Sequence, residues 1–215
     1  MAQINTPKEV LALAQKSATG KMQLPAGKTL LLAFLAGAYI AMGGLFSLMA
    51  GFGFPGVAEA PGLQRLLSGL VYAGNFIGAA FFAYFLVVLP GVLSSELWRE
   101  AACNVAQAKV SMPWLTVFLR GVGANWLVCL AVWLGLSTDD AAGRMMGLFF
   151  PVMCFVVIGY EHCIANMFFI PLGMMLGAPV TAADMVAANL VPATLGNIAG
   201  GGIFVGGLYW YLNRK

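Results

Sequence analysis

Apolar residues in this chain fall in long unbroken runs, not in short alternating ones. Five runs are long enough for a helix to cross a bilayer, which takes about 20 mostly apolar residues: residues 29–54, 66–89, 113–137, 145–176 and 185–212. Their length and glycine content set them apart from barrel strands, whose polarity alternates at every second position. The fourth run is longer than one crossing needs. It holds Pro151, Gly159, Glu161, His162, Pro171 and Gly173, a combination that predicts a broken helix. The polar stretch before the third run, with Glu96, Arg99, Glu100 and Lys109, reads as a loop.

Residues 1–28 form a separate N-terminal segment, and residues 29–215 a transmembrane domain. Thr6, Pro7 and Glu9 read as a helix start: a cap, a proline in the first turn and a carboxylate three residues on. Val10, Leu11, Leu13 and Ala14 then supply an apolar side, which predicts a short amphipathic helix at the membrane surface. The plainer alternative is a frayed tail. No apolar core followed by a small-residue cleavage site marks the segment as a signal peptide. Lys8, Lys16, Lys21 and Lys28 direct it to the cytoplasm, and Arg214 and Lys215 favour the same side for the other end. Two cytoplasmic ends require an even number of spans, against the five runs counted.

Composition agrees with the runs. Of 215 residues, 61% are hydrophobic and 9% charged, and mean hydropathy is +0.88. Soluble domains carry roughly 25% charged residues, so a water-soluble enzyme, a nucleic-acid binder and a disordered chain are excluded. The formal net charge of +3 marks no polyanionic partner. Cys103, Cys129, Cys154 and Cys163 have neither C-x-x-C spacing nor a histidine at metal-ligand spacing; they read as small packing residues, and no metal or cofactor is expected.

The chain also resembles itself. Residues 74–82 and 196–204 share the pattern G-N-x-x-G-small-small-x-F, with Asn75 and Asn197 in equivalent places. A shorter pair, F-L-x-G, begins at Phe34 and at Phe118. Two similar halves, often inverted and with broken helices at the site, are a common transporter plan. The spacings differ: positions 34 and 74 lie 40 apart, positions 118 and 196 lie 78 apart, and the second half is therefore 38 residues longer. Its excess includes the broken run around His162, to which the first half has no counterpart.

A charge inside a membrane costs about 2.5–3.5 kcal/mol at mid-helix, which makes such residues functional candidates. His162, the only histidine, can exchange a proton near neutral pH, and it sits where a break frees backbone N–H groups for an anion. The alternative is a buried imidazole tied to a backbone carbonyl. Glu161 would repel an anion if it faced a pore, so it is expected to anchor the break, accepting bonds from loosened backbone or a neighbouring subunit. Asn166 is expected to stabilise the same break. Asn75, Asn125 and Asn197 are amides in apolar runs, usually interhelical glue. Lys109 would concentrate anions if it stood alone at a pore mouth, or is an ordinary loop lysine. Arg120 fits a vestibule or a subunit contact. No paired carboxylates, metal cluster or Ser/His/Asp spacing suggests an enzyme.

Residues 159–167 (GYEHCIANM) and 125–133 (NWLVCLAVW) resemble signatures of the formate/nitrite transporter family; residues 189–197 and the glycines after them are similar to its last span, and Thr6–Glu9 and Gly37–Ile40 fit its start. The resemblance covers nearly the whole chain. It implies an all-α membrane protein, an aquaporin-like helical bundle with an inverted repeat, assembled as a homopentamer with a pore in each protomer. It implies His162 as the central proton or hydrogen-bond donor, Asn125 as the polar residue near it and Lys109 as the vestibule cation. Phe155 and Val128 match apolar constrictions on either side of the histidine. The expected cargo is a small monovalent weak-acid anion: formate or nitrite, with hydrosulfide as a further candidate. The expected location is the inner or plasma membrane of a prokaryote, with both ends cytoplasmic in the six-span form.

The sequence departs from the family in one place. Residues 66–71 resemble the start of the family's second span, and residues 72–75 the middle of its third-span motif. They join directly at 71/72, an internal deletion that leaves about five spans instead of six and removes a pore loop with its threonine. Two other readings follow: a truncated remnant that transports nothing, and an aquaporin-like facilitator of neutral solutes.

Overall fold

The computed structural model describes residues 4–22, 25, 28, 35 and 76–213. The 71/72 junction, Asn75 and nearly all of the first apolar run lie outside the described residues.

Helix α1, Pro7–Met22, begins as its sequence dictates. The Thr6 N–H and hydroxyl donate to Glu9 Oε2 at 2.7 and 2.8 Å, and the Glu9 N–H donates to Thr6 Oγ1 at 3.4 Å. Asn5 ties the entry to the bundle, donating to the carbonyls of Leu136 and Ser137, and Val10 is buried. The start is thus docked, not frayed. The Thr6 N–H and hydroxyl hold the Glu9 carboxyl below its ordinary value. A depressed carboxylate stabilises above its unfolded pKa, and that contribution is lost as pH falls through the folded value. Amide protection in the first turn of α1, taken relative to the intrinsic exchange rate at each pH, is therefore expected to be highest at neutral pH and to fall on acidification, whereas Glu9→Ala lowers it throughout. A first turn that stays protected at acid pH would contradict this.

Helix α2 runs Phe76–Phe81 and continues as a π-helical stretch, Phe82–Val88. Residues read as a loop are instead a helix, α3, Glu96–Val110. It buries Ala101, Ala102 and Ala106, and a face of alanines gives little apolar periodicity to read. Helix α4, Trp114–Leu136, has 23 residues. Helix α5, Ala141–Val157, starts four residues earlier than the apolar run because Asp140 Oδ2 caps it, accepting from the Gly143 N–H at 2.6 Å. Helix α6 is Cys163–Met175. The last helix, α7, runs Ala182–Leu212, opened by a Thr181/Asp184 capping box and interrupted by π-helical stretches at Met185–Leu190 and Ala199–Gly207. Among the described residues there is no strand beyond an isolated bridge from Ile4 to Thr138.

Of the described helices, only α4 and α7 are long and apolar enough to cross a membrane alone. They lie nearly in backbone contact. A Cβ added to Gly196 would collide with the Phe118 carbonyl, and one added to Gly200 with that of Val122. Small residues at such interfaces let membrane helices approach closely. A second seam joins α2, α3 and α6 through Ala79, Phe82, Val87, Ala102, Phe168 and Leu172. Helix α5 packs on α4, and α6 packs on α3 and α2.

Candidate pore site

The fourth apolar run is broken where its sequence says. At 1.5 Å per residue, α5 with 17 residues and α6 with 13 are about 26 and 20 Å long. Neither spans a hydrocarbon core of about 30 Å. The turn between them rests on Gly159, whose φ is +75°. A Cβ there would meet nothing within 4 Å, so the glycine is needed for its left-handed backbone and not for space. The Gly159 and Tyr160 N–H groups bond back to Val156 and Phe155, closing the end of α5. Arg120 Nη1 donates to the Gly159 carbonyl at 3.3 Å and lies 3.1 Å from Met112 Sδ. These contacts tie Arg120 to the break.

Glu161 is buried, with its side chain 4% exposed. Its Oε1 is 3.0 Å from Lys109 Nζ at the end of α3. Its Oε2 accepts from Asn166 Nδ2 at 2.7 Å and from Asn189 Nδ2 at 3.0 Å. The donors are side chains of this chain, where the sequence suggested loosened backbone or a neighbouring subunit. Asn166 Nδ2 also donates to Asn189 Oδ1 at 2.6 Å, and Asn189 Nδ2 to the Lys109 carbonyl at 2.9 Å. Two acceptor oxygens facing one amide nitrogen fix the orientation of Asn166. Lys109 is therefore no lone cation. It is ion-paired and lies 5.9 Å from the Phe169 ring centroid. Asn189 is the member that sequence reasoning missed; its only signal was an amide in an apolar run.

His162 occupies the N-cap of α6 but makes no side-chain cap bond. Its ring stacks on Phe155, centroids 5.7 Å apart and planes 23° apart. Asn197, on α7, supplies the missing cap: its Oδ1 accepts from the Cys163 N–H at 3.0 Å. Asn197 Nδ2 donates to the carbonyls of Gly121 and Glu161, and the Asn197 carbonyl accepts from Asn125 Nδ2 at 2.6 Å. Val128, one turn beyond Asn125 on α4, is half-buried. The structure thus gathers two groups at the break. Glu161, Lys109 and Asn166 form one with Asn189; His162, Phe155 and Asn125 flank the other, centred on Asn197. All four cysteines are free thiols. Among the described residues no cluster of three metal-ligating side chains occurs.

Comparisons with known proteins bear on what such a break serves. A family model described as "Formate/nitrite transporter" matches residues 8–73 and 67–211. A "Probable formate transporter" of Methanothermobacter thermautotrophicus is 37% identical over 253 residues, covering 91% of this chain and 92% of its own. An "Uncharacterized transporter YrhG" of Bacillus subtilis strain 168 is 35% identical over 252 residues, covering 97% and 94%. Among solved structures, a "Pentameric formate channel with formate bound" superposes with a TM-score of 0.75 at 26% identity, covering 94% of this chain and 100% of that one.

Proposed function

Because this chain, a multi-pass helical membrane protein, belongs to the formate/nitrite transporter family, we propose that each protomer conducts a small monovalent weak-acid anion past His162. Formate or nitrite is the cargo, with hydrosulfide a further candidate. The observation that carries this reading is the start of α6. The only histidine of the chain stands at the N-cap position of a half-helix, next to a turn of backbone N–H groups that lack intrahelical acceptors, of which that of Cys163 is taken by Asn197. The positive end of a helix dipole favours an anion there. The one nearby carboxylate, Glu161, is turned away into a pair with Lys109, so it does not oppose an anion with a bare charge.

In this mechanism Phe155 and Val128 form apolar constrictions that a hydrated ion passes poorly. Asn125 and His162 between them offer hydrogen bonds in place of the lost water, and His162 hands the anion a proton or a strong hydrogen bond. With a proton transferred, the N–H bond breaks as the acid O–H forms, and the neutral acid crosses the second constriction and releases the proton to water beyond it. His162 is then reprotonated from water on the entry side. With a hydrogen bond alone, the species that crosses is still the anion. Lys109 contributes the positive end of a dipole at the vestibule, since its charge is offset by Glu161. A homopentamer is supported by the pentameric formate channel it superposes on. The proposed location is a prokaryotic inner or plasma membrane with both ends cytoplasmic.

A second reading, a remnant that transports nothing, is supported by the alignments. The relative's match runs over 253 residues against 215 in this chain, and the two family-model segments meet at residues 67–73, around the 71/72 junction. Formate and nitrite flux into liposomes separates the readings. Flux well above protein-free vesicles, from protein whose intact mass is 22.6 kDa, is the expected result. No anion flux from folded protein of that mass would favour the remnant, and water permeation without anion flux would favour the neutral-solute facilitator.

A further inference from the structure

One side chain holds both peptide bonds of His162. The carbonyl of Glu161 belongs to the peptide group before it and the N–H of Cys163 to the one after it. Asn197 takes both: its Nδ2 donates to the Glu161 carbonyl at 3.0 Å, and its Oδ1 accepts from the Cys163 N–H at 3.0 Å. Its second amide hydrogen goes to the Gly121 carbonyl on α4 at 2.9 Å. Its own carbonyl holds Asn125 Nδ2 at 2.6 Å. Asn197 is 6% exposed. Both donors face carbonyl oxygens and its acceptor faces an N–H, so no flip of the amide would serve as well.

The segment it holds lies outside regular helix. His162 has extended backbone, φ −111° and ψ 113°, between a glycine turn and a helix start. Its side chain contributes no cap; its carbonyl accepts the first helical bond, from the Asn166 N–H at 3.0 Å, and the Glu161 N–H before it makes a 3.4 Å bond to the Arg120 carbonyl. Interhelical amides in membranes are commonly unspecific glue. This one bonds to the two peptide groups that set where one imidazole stands, and through its own carbonyl to Asn125.

We propose that Asn197 is a positioning residue: an interhelical clamp that fixes the imidazole of His162 and the amide of Asn125 at a set spacing. The proposal rests on the transport reading for its purpose, but its geometry is testable without transport. Its repeat counterpart, Asn75, lies outside the described residues.

The single histidine makes the test direct. Protein carrying no histidine tag, labelled with nitrogen-15 in the imidazole, gives one histidine side-chain signal in a membrane mimetic. Asn197→Asp keeps the acceptor for the Cys163 N–H but replaces the one nitrogen that donates to both carbonyls by an oxygen that faces them. It is expected to shift or broaden that signal and to raise the rate of imidazole acylation by diethyl pyrocarbonate at least threefold. Arg144→Ala, which breaks a surface pair with Asp139, is expected to change neither. Where the chain transports, Asn197→Asp lowers the maximal rate more than it raises the half-saturating anion concentration. Part of its rate relative to wild type returns as pH falls and the new carboxyl regains a proton to donate. Asn197→Ala, if it folds, repeats the spectral change without that pH recovery. A folded Asn197→Asp with wild-type signal and acylation rate would overturn the clamp, whatever its flux. Wild-type protein that carries no anion, yet shows the spectral change, would leave the clamp standing and count against the transport reading alone.

Discussion

Replacing His162 with alanine is expected to lower formate flux by about a hundredfold or more, the usual contribution of a positioned proton donor, and to flatten its dependence on pH. The fold gives reason to expect a clean result. The imidazole makes no cap bond, and the clamp from Asn197 grips the backbone of residues 161 and 163, which alanine leaves in place. Loss of the Phe155 stacking partner is the main packing cost. Gln at the same position separates two chemistries. It keeps an N–H donor but does not titrate, so a hydrogen-bonding role predicts substantial flux from His162→Gln, whereas proton transfer predicts the alanine phenotype. Stopped-flow flux into liposomes across pH 5 to 8 makes the comparison. A His162→Ala protein with wild-type rate and pH profile would end the histidine mechanism.

The largest effect on stability is expected at Lys109. Lys109→Met leaves Glu161 buried with two amide donors but no cation. Removing one partner of a buried pair costs about 3–5 kcal/mol, because the remaining charge is uncompensated. The loss appears as a lower midpoint in detergent unfolding. Replacing both partners, as Lys109→Met with Glu161→Gln, removes the stranded charge and should recover most of that midpoint. An unchanged midpoint for Lys109→Met would mean the ion pair contributes nothing to the fold. A double variant no better than the single one would place the damage in packing, not charge.

Local signals were legible in the sequence where short-range chemistry dictates structure. The start of α1 follows from Thr6, Pro7 and Glu9, all within one turn. The break follows from a glycine, a glutamate and a histidine inside an apolar run, and the ends of α4 fall within one residue of the run that predicted it. What the sequence hid depends on distance or on weak contrast. Helix α3 buries alanines, which stand out from neither polar nor apolar neighbours. The partners of Glu161 come from α3, α6 and α7, and no spacing rule links positions 109, 161 and 189. Asn197 showed itself as half of a repeat, but that its side chain reaches both peptides of one histidine is a fact of three dimensions. That Lys109 is ion-paired does not show in the sequence, because its counter-ion lies 52 positions away.

That separation also sets an order of manufacture. Ribosomes add roughly 5–20 residues per second, and this chain emerges with the cation at 109 first, the carboxylate at 161 next and the amide at 189 last. Glu161 is made 28 positions before Asn189, so it precedes its last amide partner by a few seconds. Lys109 is waiting, joined to it through the hairpin of α4 and α5. Of the groups that hold the carboxylate, the cation is thus made first and the second amide last.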